Sequence, residues 1–368
     1  MPATLTVTSG GQPVDKIRFG NRDRPGTPCV YTPERLEVTL DLGASAPGEP
    51  PVERVRLLLP RGWLSDRATE RQDGDRLSWT VFPKEAPEEF TPAIAAELIA
   101  GEATTRRLSY PLGVMIEARS QFIPAMHVLP WANSTASLGT VEPRWDILRR
   151  TFALALLPHA FFRGLYRAMV HLDAQGGGLC SGLAHLALER SLKPTEAAPT
   201  IDDVLLWHGR QLSDRATLAS APWFLLPSPR RACRAFREQL LAQGRSDICF
   251  DIAQPSLRHP RLGRVLTHGH TVLPYGLRQE SAERAEVLVY DPNDPAAARE
   301  DRSVISFDLG GDSYAYPGHV APHDGTTIYA PRQRSYRGRR TTLLASLASL
   351  VLFPRSVSEG NGRKRTVP

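Results

Sequence analysis

GGGLCSGLAHLALERSL, residues 176–192, is the stretch on which the fold turns. Three glycines end whatever precedes them. Leu183, Leu186 and Ala187 then recur at helical spacing, so a helix is predicted to begin beside Cys180. The first turn of a helix carries unsatisfied N–H groups and the positive end of the macrodipole, a setting that favours a thiolate. The glycines allow a tight turn and close approach of a substrate, and Gly182 leaves space beside the sulfur. A cysteine in a glycine-rich turn is also a common small core residue. The rest of the chain has to separate these two readings.

Working outward, residues 145–172 are rich in Leu, Ala, Phe and Arg and read as helices, broken at Pro158 and Gly164. Residues 202–244 read as more helix, with proline-rich joints at 222–229; Trp207, Trp223 and Phe224 either pack there or line a groove. Short β-like runs follow at 248–252, 271–275, 286–290 and 304–307. Helices first and strands afterwards predict an α+β domain. The region before it has a different texture. Leu36, Val38, Leu40 and Leu42 alternate with Glu37, Thr39 and Asp41, and residues 77–81 and 114–118 repeat that period of two. A helix is predicted to interrupt these strands, with Thr91 as N-cap, Pro92 at the first helical position, and Ile94 and Leu98 on one face. The expected organisation is an antiparallel β-sandwich-like domain over 1–140, the α+β domain over 141–334, and a basic tail over 335–368.

Two further motifs join Cys180. His270 stands in THGHTVLPYGL at the mouth of a predicted strand, where an imidazole can take a thiol proton and return it to a leaving group. Asp291 stands in VLVYDPNDP, directly after the next strand. The two strands are joined by a short polar loop and should pair as a hairpin. That pairing brings Asp291 back beside His270, where a carboxylate can fix the ring tautomer. Asn293 is the alternative orienter. The same DPND could be a plain turn.

GGGLCSGLA, GHTVLPYG and VYDPNDP, in that order, resemble papain-like cysteine peptidases, with the nearest likeness to the bacterial C39-like group. The resemblance spans residues 145–328 and leaves out the N-terminal β region. It implies a papain-like domain, helical part first and antiparallel sheet second. It also implies Cys180 as nucleophile, His270 as base and Asp291 as orienter. Gln175, five residues before Cys180, falls near the place of that family's oxyanion-hole glutamine, though not in a QGxCGSCW context. His270 follows Cys180 by 90 residues, short of the papain-type spacing, which points to a divergent branch.

The implied activity is a thiol-dependent hydrolase, a peptidase or amidase working through a thioester on a peptide or amide substrate. Three other classes stand beside it. One is a transglutaminase-like acyltransferase on the same triad. Another is a non-catalytic binding protein that keeps the fold. The third is a zinc site on the His268/His270 pair, with Cys249 or Asp291 as a further ligand. The hydrolase reading needs no cofactor and no metal.

Composition narrows the remaining classes. The chain has 368 residues with four cysteines, Cys29, Cys180, Cys233 and Cys249, and no CxxC pair, so neither a disulfide framework nor a four-thiolate zinc site is expected. No apolar run approaches the roughly 20 residues of a membrane-crossing helix, and no signal peptide is evident, so a cytoplasmic location is expected, non-classical export remaining open. The net charge of +6 is concentrated at the end. From Pro331 onward there are nine Lys or Arg and one acid, leaving 36 basic against 38 acidic residues elsewhere. Nucleic acid is therefore not an expected partner of the folded body. The apolar segment 343–353, with Arg337, Arg339 and Arg340 before it and Arg355 after it, suits either an anionic surface or docking back on the protein.

Overall fold

A computed structural model of the chain describes residues 2–21, 24–28, 30–31, 35–43, 48, 50–83, 89–101, 103–138, 141, 146–147, 150, 152–154, 179–211, 213–253, 269–318, 323–325, 328–337 and 340–341. Among the described residues, every element of the first third is a strand: β1 (Thr4–Ser9), β2 (Gln12–Pro13), β3 (Lys16–Gly20), β4 (Val30–Tyr31), β5 (Leu36–Asp41), β6 (Arg54–Leu58), β7 (Trp63–Asp73), β8 (Arg76–Pro83), β9 (Ala93–Ala100), β10 (Ala103–Pro111) and β11 (Gly113–Arg119). Alternation decides the faces. In β5, Leu36, Val38 and Leu40 are buried while Glu37 and Asp41 are exposed. Strands pair in the order β2-β1-β5-β8-β7 in one sheet and β10-β9-β6 in another. Val7, Val38, Leu40, Trp79 and Val81 of the first share one core with Ile94, Ala96 and Leu98 of the second. The antiparallel pairing within these two sheets was expected from the alternation.

The helix expected after Thr91 is instead strand β9. Ile94 and Leu98 satisfy a spacing of four, which fits a period of 3.6 and a period of two equally well. Ala96 between them is also buried, and β9 is flanked by β10 and β6 on its two edges. Pairing on both sides overrides local propensity here.

The next elements are α1 (Pro124–His127), α2 (Thr135–Leu138) and β12 (Phe152–Leu154). Helices were expected over 145–172. Residues 146, 147 and 150 are helical, but Phe152–Leu154 is a strand paired in parallel with β20 (Arg340–Thr341), a partner nearly 190 residues away that composition could not reveal. The remainder of that stretch lies outside the described residues.

Four helices follow: α3 (Cys180–Leu192), α4 (Ile201–Arg210), α5 (Asp214–Leu225) and α6 (Pro229–Gln243). Residues 181–188 of α3 are all buried, the pattern of a helix enclosed on every side. Gly182 permits its contact with α4, since an added Cβ would lie 2.4 Å from the Val204 carbonyl oxygen. Thr200 and Asp203 cap α4 reciprocally. Ser228 caps α6, and Gly244 ends it in the left-handed region at φ 64°.

The second sheet region comprises β13 (Phe250–Ala253), β14 (Gly269–Gln279), β15 (Arg284–Tyr290), the short helix α7 (Pro295–Arg299), β16 (Val304–Asp308), β17 (Ser313–Tyr316), β18 (His323–Gly325) and β19 (Ile328–Tyr329). The expected hairpin forms: β14 and β15 pair antiparallel from Leu273↔Tyr290 to Gln279↔Ala285, with a register shift at Pro274–Gly276. One continuous path runs β18-β17-β16-β15-β14-β11-β3-β4, so strands on both sides of residue 140 build the same sheet. Arg119 at the end of β11 reinforces that join with two bonds to Asp301, at 2.9 and 2.7 Å, and the Tyr275 hydroxyl donates to the same carboxylate at 2.8 Å.

The basic stretch does not leave the body at Ser335. Ser335 and Tyr336 are buried, and the Arg337 guanidinium lies 2.9 Å from Glu189. The apolar segment 343–353 lies outside the described residues.

Two buried histidines make stability depend on acid. His185 of α3 faces the Gln333 amide oxygen across 2.5 Å, and His208 of α4 is 2% exposed. Burial lowers both from the ordinary 6.5 to about 4. The unfolded chain therefore binds protons before the folded chain does. Stability falls as pH drops from 6.5 toward 4, by at most about 3 kcal/mol per histidine. Asp251, pushed up to about 6 by burial, titrates in the same window with the opposite sign. The test is therefore a comparison of chains: His185→Gln should lose less of its urea midpoint between pH 7 and about pH 4.5 than wild type does. Equal losses would remove His185 from this account.

Candidate active site

Cys180 is the first residue of α3, and its side chain is partly exposed. Leu179, at the N-cap position, has no side chain that can cap this helix. The helix packs along β14, which begins at Gly269. His270 is the second residue of that strand and is 8% exposed. Asp291 follows the last residue of β15 directly, is 1% exposed, and returns to His270 because the hairpin folds back on itself. The structure thus brings together Cys180, His270 and Asp291.

The bonds are directional. His270 Nε2 lies 2.8 Å from Asp291 Oδ1. The ring is also in hydrogen-bond contact with the Cys180 thiol. With Nε2 committed to the carboxylate, Nδ1 is the nitrogen left for sulfur. Asp291 is held further by the Asn293 backbone N–H, which donates to Oδ1 at 2.7 Å, and by the Tyr316 hydroxyl, which donates to Oδ2. Ser303 Oγ in turn lies 3.1 Å from the Tyr316 hydroxyl.

These contacts set the charges. Burial opposes protonation of His270, but the bond to Asp291, its negative charge and the neighbouring sulfur together push the imidazole up to about 10. Burial likewise opposes ionisation of Asp291, but the His270 bond and charge, the Tyr316 hydroxyl and the Asn293 N–H hold it below the ordinary carboxylate range. At neutral pH the site is an imidazolium–carboxylate pair with a sulfur on the other side of the ring. A cation beside a thiol is what stabilises the nucleophilic thiolate.

Asn293, the alternative orienter, sits differently. Its Nδ2 lies 3.5 Å from His270 Nε2, and its Oδ1 accepts from Asn133 Nδ2 at 2.8 Å. It presents an NH2 group to the ring, and NH2 cannot accept the ring proton. Asp291 Oδ1 is the acceptor.

Sequence reasoning missed Asn133 and Tyr316. Asn133 sits in a short irregular segment between α1 and α2, with no periodicity or motif to mark it. Tyr316 belongs to the alternation of β17, and only the sheet order shows which residue its hydroxyl reaches. Gln175 and His268 lie outside the described residues, as do the side chains of Trp223 and Phe224. Trp207 is buried, with the Arg210 guanidinium 4.2 Å from its ring centroid and His185 stacked near it, so it packs rather than lining a groove. Cys233 and Cys249 are buried; burial pushes Cys233 up to about 12 and Cys249 well above the ordinary thiol range, which makes both inert as nucleophiles.

A cleft of about 620 Å³ at the far end of the same hairpin, lined by Arg278, Glu286, Phe307 and Tyr314 among others, contains none of the three residues. Arg278 is eight positions along β14 from His270, roughly 26 Å at strand spacing. Among the described residues, no group of three or more His, Cys, Asp or Glu is arranged to hold a metal ion, and no helix is long and apolar enough to cross a membrane.

Compared with family models, curated proteins and solved structures, the chain matches none of them.

Proposed function

We propose that the chain is a thiol-dependent hydrolase, a peptidase or amidase acting through Cys180, His270 and Asp291. One observation carries this reading: a partly exposed cysteine at a helix start neighbours a buried imidazole whose other nitrogen bonds a buried carboxylate. That is the nucleophile, base and orienter arrangement of acyl transfer.

In this reading the Cys180 sulfur attacks a substrate carbonyl carbon, and the carbonyl π pair moves onto oxygen. The oxyanion faces the first N–H groups of α3, the Cys180 N–H foremost, in the favourable field of the helix terminus. Gln175 is the second donor that the family resemblance implies. Collapse expels the amine, which takes its proton from His270, and leaves a thioester on Cys180. Water then enters with His270 as general base and releases the acid. Asp291 keeps the ring oriented and stabilises its charged form throughout. An amine acceptor in place of water would make the enzyme a transferase.

A peptide and amide library tests this with wild-type protein. The proposal expects turnover that iodoacetamide abolishes and EDTA leaves intact. Loss to EDTA with resistance to iodoacetamide would replace the thiol with a metal site. No turnover, and no folding-dependent labelling of Cys180 by a thiol-directed probe, would leave a binding protein.

A further inference from the structure

We propose that Asn133 is a positioning residue of this site: it clamps the start of the nucleophile helix to the turn that orients the imidazole. The proposal rests on the thiol-hydrolase reading and names a part of that site no motif contains. Asn133 is 6% exposed and makes three bonds. Its Oδ1 accepts from the Leu179 N–H at 2.9 Å, its Nδ2 donates to Asn293 Oδ1 at 2.8 Å, and its own backbone N–H donates to the Pro292 carbonyl at 2.7 Å. Leu179 immediately precedes Cys180. Pro292 and Asn293 immediately follow Asp291. One residue therefore ties together the two chain segments whose separation sets the distance from sulfur to imidazole.

The clamp also has a chemical polarity. Because Asn133 donates to the Asn293 oxygen, the Asn293 NH2 is turned to His270 Nε2. With no acceptor offered there by Asn293, the ring proton goes to Asp291 Oδ1. Reversal of that one amide would place a competing oxygen beside Nε2 and pull the ring away from the carboxylate. The segment holding Asn133 is supported independently of the site: the Ala132 N–H donates to Ser137 Oγ at 2.9 Å, the Ser134 carbonyl accepts from the N–H groups of Ser137 and Leu138, and Leu129 is buried in the core. A rigid support is what a positioning group requires.

The test is the rate of Cys180 alkylation by iodoacetamide in the full chain across about pH 4 to 12. This readout needs no known substrate. On the acid side, where the imidazole is protonated, wild type should react faster than His270→Ala, because a cation beside a sulfur favours its attacking form; that excess is the limb the histidine variant should lose. Asn133→Ala should lower the acid-side rate by about tenfold or more, since small misplacements of a reacting pair are costly. Asn133→Asp retains the acceptor for Leu179 but no longer donates to Asn293. It should shift the alkaline inflection upward, by adding negative charge near the imidazolium, and it decides the matter if the alanine variant does not fold. A purely structural role would lower Tm and leave both profiles superimposed on wild type; that outcome overturns the proposal. A wild-type profile without the acid limb, indifferent to His270→Ala, overturns the hydrolase reading itself and the positioning role with it.

Discussion

Cys180→Ala is expected to lose turnover on the order of 10^5-fold or more against every library member that wild type cleaves. Its circular dichroism spectrum should be unchanged. The asymmetry follows from what the sulfur touches. It is small and partly exposed at the first position of α3, so its removal leaves no large cavity. The imidazolium it contacts keeps its counter-charge in Asp291, 2.8 Å away, so no buried charge is orphaned. On the proposed function, the side chain therefore contributes little to the fold and everything to the chemistry. Cys233→Ala and Cys249→Ala should behave in the opposite way: most activity is retained, with some stability lost from the core. Activity that survives Cys180→Ala would show that another group carries the reaction.

Asp291→Ala is expected to cost about 10^3- to 10^4-fold in turnover, the scale seen when the orienting acid of a triad is removed. It should also destabilise the fold by about 3 kcal/mol or more. Both effects have one cause. Asp291 is 1% exposed and carries the bonds of His270, Tyr316 and the Asn293 N–H. Its bond and charge are the main influences that overcome burial and keep His270 protonated. Without them burial wins, the ring is neutral at pH 7, and the thiol loses its cationic neighbour. Asn293→Ala, which removes an NH2 at 3.5 Å and the tie to Asn133, should cost only about tenfold. Steady-state rates on one peptide or amide substrate decide this. A much greater loss in Asn293→Ala than in Asp291→Ala would reverse the two roles.

The core of the site was legible because short-range rules position it. Glycines before Cys180 and helical spacing after it place the sulfur at a helix start. Two apolar runs around a short polar loop make a hairpin, and a hairpin returns its far end to its beginning, so His270 and Asp291 had to meet. What was not legible depends on partners distant in sequence. Ile94 and Leu98 suit a helix or a strand until β6 and β10 are seen on either side of β9. Phe152–Leu154 is a strand because Arg340–Thr341 lies against it. The sharing of one sheet across residue 140 follows from β11 pairing with β14, which no local pattern encodes. Asn133 acts through three separate bonds to residues far along the chain, and isolated polar residues leave no periodic signal.

The most direct measurement is the intact mass of wild-type protein, quenched in acid during turnover of an activated peptide ester, with the modified residue located by fragmentation. A covalent thiol path requires one acyl group on the Cys180 sulfur, released on continued incubation and missing when His270 is alanine. Turnover without any acyl group on that sulfur, or with acylation equally rapid in the histidine variant, would contradict it.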